Sequence, residues 1–513
     1  MSIYESLKSG DGARRVLQLR SPVTLEVTGQ IECANTEDVQ QAVAKAREAQ
    51  QSWGALSFKE RASYMDKAQK VLLARQDDVI DMVVSETGKA RTDAFSMEVF
   101  SCLDSICYYA KNAEKFLKPE KVKPHGIMRM MKRVTITYRP LGVAGIITPW
   151  NGPFVLAVNP AVQAMMAGNA VVIKGSEVTP YSTKMVEEIF AEAGLPDGVL
   201  QVLVGDGQTG ADLCEAGVDK ISFTGSVNTG RKVAESCARQ LIPCTLELGG
   251  KDAMIVCADA DIDRAAQGAV IGSCMNTGHY CCGTERIYVV ADVYGEFVEK
   301  CTEITRNLKQ GSDLGFNEDV GAVFWDRQMH IMESHVDDAR AKGANVLVGG
   351  ERNTELEGLY YRPTVMTDVT HDMDIMKSET FGPILCIQKV NDEQEAIKLA
   401  NDSDYGLSGN VWTQDEDKAM KLALQMDSGS VCINDHAITY GIPVAPFGGV
   451  KTSGVGRVNG KQGMRGYTKT VPIIIEKKGG EMANAFPYTA KKAEGMKKFA
   501  KFLWGTPIGK WLS

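Results

Sequence analysis

The chain has 513 residues, 44 % of them apolar and 24 % charged, and a formal charge of −8. That length exceeds what one hydrophobic core sustains, so two or three domains are expected, and the composition is that of an ordinary globular protein. The acidic balance argues against a general nucleic-acid binder, and nucleic acid is not an expected partner.

The histidines, His125, His279, His330, His335, His371 and His436, stand at no metal-ligand spacing with one another or with a cysteine, so no metal site is expected. The 13 cysteines match neither a zinc motif nor a small disulfide scaffold. No basic region leads into an apolar run at Met1 to Ser6, and no stretch has the length and apolarity of a membrane span. The expected location is therefore the reducing cytoplasm, with the cysteines as thiols.

In chain order, Val39, Ala42, Val43, Ala46 and Ala49 recur at helix spacing behind Asn35 and Thr36, which predicts a helix over 36–50. Ala62, Met65, Ala68, Leu72, Ile80 and Val83 predict a second over 58–84, and a third covers 89–116. Residues 132–140 alternate basic or hydroxyl side chains with apolar ones, and read as a strand suited to pairing outside the main sheet.

From 142 onward short apolar runs alternate with helices. The runs are 143–147, 170–173, 199–204, 220–223 and 244–248; helices end at Gly168, extend from Pro180 to Gly194, and cover 228–240. Such alternation predicts a mainly parallel α/β sheet. Its polar turns at 148–152, 174–177, 205–208 and 224–226 fall at the carboxyl ends of the strands, where such sheets bind ligands.

A second α/β pattern starts after Gly250. It comprises helix 261–275, strand 286–290, helix 293–308, strand-like runs at 344–348, 384–390, 409–412 and 430–434, and helices 393–400 and 415–426. Residues 441–456 are rich in Pro and Gly and read as a loop or lid, with a further strand at 471–476. The tail mixes Lys491, Lys492, Lys497, Lys498 and Lys501 with Met496, Phe499, Phe502, Leu503, Trp504 and Trp511. That composition suits an anionic membrane surface, or a helix docked on the body or on a neighbouring subunit.

Three stretches carry candidate chemistry. Cys281 and Cys282 lie in a glycine-containing turn ahead of the strand at 286–290, and Glu247 precedes a Gly249-Gly250 pair upstream. Either thiol alone reads equally well as a small core residue, and the glutamate as a surface charge. Gly225 to Gly230 follows a strand and opens a helix, which suits either a phosphate cradle or a plain tight turn. Lys174 and Glu177 end the neighbouring strand, within reach of ribose hydroxyls or of solvent.

Taken together, the motifs resemble the aldehyde dehydrogenase superfamily over residues 20–475. The matching pieces are Pro140 to Asn151, Gly168 to Lys174, Phe223 to Ser226, Leu246 to Lys251, Asn276 to Arg286, Glu379 to Pro383, Tyr405 to Leu407 and Pro446 to Gly449. The resemblance implies an α/β fold of two Rossmann-like open domains plus a small β oligomerisation element. Residues 1–127 and 142–247 would form the cofactor domain, and 248–466 the catalytic domain. Residues 128–141 and 467–490 would form the oligomerisation element of a homodimer or homotetramer, and 491–513 a basic amphipathic tail.

By the same resemblance Cys281, not Cys282, is the nucleophile, Glu247 the base that activates water, and Asn151 the oxyanion donor, with Lys174 beside them. Ile147, Thr148, Pro149, Trp150, Lys174, Ser176, Glu177, Gly207, Phe223, Gly225, Ser226, Leu248, Gly249, Glu379 and Phe381 would hold NAD. Glu177 favours NAD by repelling a 2′-phosphate, whereas Lys174 pulls the other way and leaves NADP open. Phe154, Leu156, Asn159, Tyr280, Cys282, His436 and Phe447 would form the pocket for a small-molecule aldehyde.

Two departures stand out: His279 and Tyr280 replace the more usual Gln and small or thiol residue, and Gly175 follows Lys174 where Pro is common. Cys282 is read as a spectator, because adjacent cysteines bridge poorly. The expected reaction is NAD-dependent oxidation of a medium-chain or aromatic aldehyde to its acid. The alternatives are acyl transfer to CoA, which retention of Glu247 disfavours, and an inactive binding homologue.

Overall fold

The alternating apolar runs build two open sheets, seen here in a computed structural model that describes residues 2–7, 14–312, 315–477, 479, 482 and 485–512. The chain divides into two compact units, one of Met1–Ala113 with Leu141–Tyr467, the other of Glu114–Pro140 with Thr468–Ser513.

In the larger unit a six-stranded sheet runs in the order Gly454–Val455, Cys244–Glu247, Lys220–Thr224, Val143–Ile147, Ala170–Lys174, Leu200–Leu203. All neighbours are parallel except the first pair, where the expected lid contributes two residues that set Gly454 opposite Glu247. From Val143–Ile147 the chain proceeds outward on one side, then returns to build on the other. The switch point therefore lies between the ends of Val143–Ile147 and Lys220–Thr224, where open α/β sheets take their ligands.

The second sheet has the order Asn345–Val348, Thr364–Thr367, Ile384–Val390, Thr284–Val290, Asp252–Val256, Gly409–Trp412, Cys432–Ile433. It is parallel apart from Asn345–Val348. Its central strands Thr284–Val290 and Asp252–Val256 are buried along their whole length and largely apolar, because both faces are covered. Ala253 and Ile255 join one core with Met332 and Val336, whereas Met254 and Val256 join the other with Ala265 and Phe297, at the period of two that a strand imposes.

Only four residues, Leu248 to Lys251, separate the carboxyl end of Cys244–Glu247 from the amino end of Asp252–Val256. This short link brings the carboxyl edge of one sheet to the amino edge of the other. Turns preceding strands of the second sheet, including Cys281 ahead of Thr284–Val290 and Phe381 ahead of Ile384–Val390, thus reach turns that follow strands of the first.

Several elements differ from their sequence patterns. The helix expected over 58–84 is two, Phe58–Ala74 and Gln76–Thr87, joined at Arg75. The stretch expected over 89–116 contains a wide π-type segment, Ala94–Phe100, before the helix Ser101–Leu117. Periodicity also missed the N-terminal strands Tyr4–Leu7, Val16–Arg20 and Val27–Glu32, and the helices Gly207–Glu215 and Asp326–Ala341.

In the smaller unit Lys132–Pro140 pairs antiparallel with Thr468–Glu476 along its whole length, and with Glu120–Val122 on its other side. Two helices follow, Ala490–Gly505 and Pro507–Leu512; the side chain of Trp511 lies outside the described residues. Among the described residues no helix is long and apolar enough to cross a membrane.

Candidate active site

A cleft of about 670 Å³, within the usual range for small-ligand sites, opens at the switch point of the first sheet. Cys281, Glu247, Asn151 and Lys174 line it. So do Ile147, Thr148, Pro149, Trp150, Ser176, Glu177, Gly207, Phe223, Gly225, Ser226, Leu248, Gly249, Glu379 and Phe381. The structure thus assembles, from seven separate stretches of chain, every residue expected at the reacting centre and the cofactor site.

The thiol turn is held by backbone geometry that few residues adopt. Asn276, Thr277 and Gly278 have φ of 55°, 56° and 73°, all left-handed. A Cβ on Gly278 would lie 2.0 Å from the carbonyl carbon of Gly382, so only glycine fits there. The Asn276 N–H donates to Asp93 Oδ2 at 2.8 Å, and Asn276 Nδ2 donates to the carbonyls of Asn151 and His279 at 2.9 and 2.7 Å. Asn151 Nδ2 also donates to the His279 carbonyl, at 3.0 Å, which leaves the amide a second N–H.

Behind Asn151 is a fully buried ion pair. Lys89 Nζ donates to Glu98 Oε1 at 2.6 Å and to the Asn151 carbonyl at 3.1 Å. Glu98 Oε2 accepts from the N–H groups of Phe154 and Val155 at 3.1 and 2.9 Å, capping the helix Val155–Met166 with a carboxylate. Lys89, Asp93 and Glu98 were not legible as site residues. Each reads as a surface charge on an amphipathic helix until the fold buries it.

The two thiols occupy different environments. Cys281 is on the cleft wall, whereas Cys282 is 2 % exposed, packs with Leu407, Phe447 and Val458, and donates to the Ala437 carbonyl at 3.5 Å. The hydrogen bond to Cys282 and burial push the Cys281 thiol well above the usual thiol range. Glu247 is 4 % exposed, and neither carboxyl oxygen has a hydrogen-bond partner in the protein. Burial therefore pushes it well above the carboxylate range, with the Arg457 guanidinium offsetting part of the effect.

Glu379 accepts from the Gly250 N–H at 2.9 Å and is pushed up to about 8 by burial and by the neighbouring Glu285. Glu285 pairs with Lys251 and accepts from the N–H groups of Thr380 and Phe381, both at 2.8 Å. This arrangement holds Phe381 in a left-handed conformation, φ 54°. Trp150 sits edge-on to His279, Phe324, Trp325 and Phe381, with ring centroids 5.1 to 6.0 Å apart.

On the other flank Lys174 Nζ lies 3.2 Å from Glu177 Oε2, and the Tyr4 hydroxyl hydrogen-bonds the same carboxylate. Ser226 caps the helix Val227–Gln240, whose amino end opens on the cleft and suits a phosphate. Arg327, Trp325, Gln328 and Lys232 complete the wall. The first three precede or begin a helix that the sequence reading did not find.

The residues expected at the aldehyde pocket lie outside the lining of this cleft. Phe154, Leu156, Asn159, Cys282 and Phe447 are buried in the core, Tyr280 and His436 are half-buried, and none lines this cleft. Asn159 uses its amide hydrogens on the Tyr440 hydroxyl and Asn459 Oδ1, at 3.0 and 2.8 Å. Packing of the apolar members and internal bonding of the polar one account for the difference.

The sheet order and switch-point cleft are those of an open α/β protein that takes its ligand at the carboxyl edge of the strands. The model of the aldehyde dehydrogenase family matches residues 8–473. A 4,4'-diapolycopene aldehyde oxidase of Methylomonas sp is 39 % identical, over 94 % of this chain and 91 % of that protein. A putative NADP(+) succinate-semialdehyde dehydrogenase of Mycolicibacterium smegmatis is 38 % identical, over 87 % of this chain and 86 % of that protein. A Mycobacterium tuberculosis aldehyde dehydrogenase crystallised with NAD+ superposes with a TM-score of 0.85 at 35 % identity, covering 91 % of this chain and 95 % of that one. The chain belongs to the aldehyde dehydrogenase family, and its activity is NAD(P)-dependent aldehyde oxidation.

Proposed function

We propose that the protein oxidises a hydrophobic aldehyde to its carboxylic acid with NAD, through a thioester on Cys281 that water hydrolyses. The observation that carries this reading is one cleft wall shared by an accessible thiol and a buried carboxyl, Glu247, that has no hydrogen-bond partner.

The residues fit the cofactor: a helix amino end at Ser226 for the pyrophosphate, and Glu177 for the ribose hydroxyls. Glu379 and Phe381 would meet the nicotinamide side. Bound there, the dinucleotide supplies the hydride acceptor.

The Cys281 thiol passes its proton through water to solvent, and its sulfur adds to the aldehyde carbon. The second Asn151 N–H and the Cys281 backbone N–H steady the resulting oxyanion. Loss of hydride from that carbon restores the C=O bond and leaves a thioester. Glu247 then takes a proton from water, the hydroxide adds to the thioester, and the C–S bond breaks to release the acid and the thiol.

A carboxylate at Glu177, already bonded to Lys174 and Tyr4, supports NAD over NADP. Likeness to the 4,4'-diapolycopene aldehyde oxidase supports a hydrophobic substrate. A second reading, a semialdehyde with a distal carboxylate, draws on the succinate-semialdehyde dehydrogenase relatives. The cleft wall carries two arginines, Arg327 beside Trp325 and Arg239 on the helix Val227–Gln240.

The domain reading stays as residues 1–127 and 142–247 for cofactor, 248–466 for catalysis, and 128–141 with 467–490 for assembly. Exposed Ile473, Ile474 and Ile475 on Thr468–Glu476 support a homodimer or homotetramer, since an apolar edge strand seeks a partner. The basic tail at 491–513 would rest on the inner face of the cytoplasmic membrane.

The test is a rapid-mixing assay with polyene, long-chain, aromatic and succinic aldehydes. Cys281→Ala is expected to abolish cofactor reduction, and Glu247→Gln to give one equivalent of reduced cofactor per site and then stall. Acyl-CoA as the sole product, formed only when CoA is added, would overturn the hydrolytic reading. Turnover confined to succinic semialdehyde would overturn the hydrophobic one.

A further inference from the structure

His279 stands two residues before the nucleophile where Gln is more usual, and both of its ring nitrogens bond within the protein. It is fully buried. Its Nδ1 lies 2.7 Å from the Phe381 carbonyl, which can only accept, and its Nε2 lies 3.3 Å from the Phe324 N–H, which can only donate. These two partners fix one tautomer, a neutral imidazole with its proton on Nδ1. Burial agrees with that state, holding the ring down to about 3.

The ring stacks on Phe381 at 5.6 Å and 25°, and meets Phe324 and Trp150 edge-on at 4.6 and 5.1 Å. The backbone carbonyl of the same residue accepts from both Asn151 and Asn276. One residue therefore joins the oxyanion-side amide, the strained thiol turn and the loop that carries Phe381. Phe381 is itself held in a costly left-handed conformation, its N–H bonded to Glu285 and its carbonyl to His279.

We propose that His279 is a positioning residue that sets the spacing between the Cys281 thiol and the Phe381 side of the cleft, so that its loss impairs hydride transfer more than thiol chemistry. The proposal rests on the thioester reading above, in which Phe381 faces the nicotinamide ring. A displacement of about 1 Å at a reacting centre can cost on the order of 100-fold in rate, so a bond that fixes this spacing has kinetic weight.

The experiment compares two reactions in His279→Leu and His279→Gln. Hydrolysis of p-nitrophenyl acetate without cofactor needs the thiol and Glu247 but no hydride transfer; aldehyde oxidation needs all three. In His279→Leu, oxidation is expected to fall at least about tenfold further than ester hydrolysis. A primary isotope effect with aldehyde deuterated at C1 is expected to exceed that of the wild type. His279→Gln, which can still donate to the Phe381 carbonyl, is expected to recover most of the loss.

Equal losses in both reactions, or an unchanged isotope effect, would overturn the proposal and leave His279 a packing residue. Should the leucine variant not accumulate, His279→Phe carries the same comparison, keeping a planar ring but losing the donor to that carbonyl. If Cys281→Ala leaves both reactions intact, the thioester reading itself fails, an outcome distinct from failure of the His279 proposal.

Discussion

Glu247 combines two costs that proteins ordinarily avoid, burial and the absence of any hydrogen bond to its carboxyl. Burial holds its folded-state pKa well above the usual carboxylate range, so the folded protein holds a proton that the unfolded chain releases. Stability from this group is therefore undiminished below about pH 4.5 and declines as pH rises towards the folded value. Gln mimics the protonated form. Glu247→Gln is accordingly expected to raise Tm at pH 8 more than at pH 5, measured by calorimetry, even as it stalls turnover. Glu177 makes a separate residue-scale case. Its carboxylate opposes a 2′-phosphate, so Glu177→Ala is expected to improve the NADP-to-NAD ratio of kcat/KM about tenfold, the equivalent of about 1.4 kcal/mol of relieved repulsion. An unchanged ratio would show that Lys174 or Arg327 sets the preference instead.

At the scale of elements, the wide helical segment Ala94–Phe100 and the turn before it place Lys89, Asp93 and Glu98 under the active centre. Removing one member of a buried ion pair strands the other, at a cost of about 3–5 kcal/mol. Lys89→Met is expected to lower stability by that amount in urea unfolding. It is also expected to reduce aldehyde turnover, because Lys89 bonds the Asn151 carbonyl. Normal stability in that variant would contradict the buried, paired state. Periodicity could place a helix over 89–116, but it could not show that three of its charged residues face inward. Likewise the break at Arg75 leaves no mark in a pattern of apolar residues that continues through it.

At the scale of the whole molecule, the large unit holds the cleft and the small unit presents apolar surface. In Ala490–Gly505, helical spacing puts Met496, Phe499 and Leu503 on one face and Lys497, Lys498 and Lys501 on the other. Leu503 is 3 % exposed, but Met496, Phe499, Phe502 and Trp504 are 52, 49, 42 and 62 % exposed. Between residues 485 and 512 six lysines face a single glutamate, against the acidic balance of the full chain. Such a helix suits an anionic lipid surface. The full chain is expected to sediment with vesicles containing phosphatidylglycerol and to remain free with purely zwitterionic ones. A chain ending before Lys491 is expected to lose that binding while keeping its turnover of a water-soluble aldehyde. Equal vesicle binding with and without the tail would end this reading, and loss of oligomer on truncation would assign the helix to subunit assembly.

The sequence by itself determined the α/β alternation, the family and the carboxyl-edge turns, and it singled out Cys281, Glu247 and Asn151 as candidates that one cleft brings together. Those features are local: a strand-length apolar run, a glycine turn and a motif are each written in a few neighbouring residues. It also marked His279 and Tyr280 as unusual without saying what they do. Tertiary structure decided the rest, because burial and pairing depend on residues far apart in the chain. It separated the cleft thiol Cys281 from the packed thiol Cys282, turned Lys89 and Glu98 from surface charges into a buried support, and drew Phe154, Asn159 and Phe447 into the core. It also gave His279 two partners, Phe324 and Phe381, 45 and 102 residues away, a relation that no local pattern encodes.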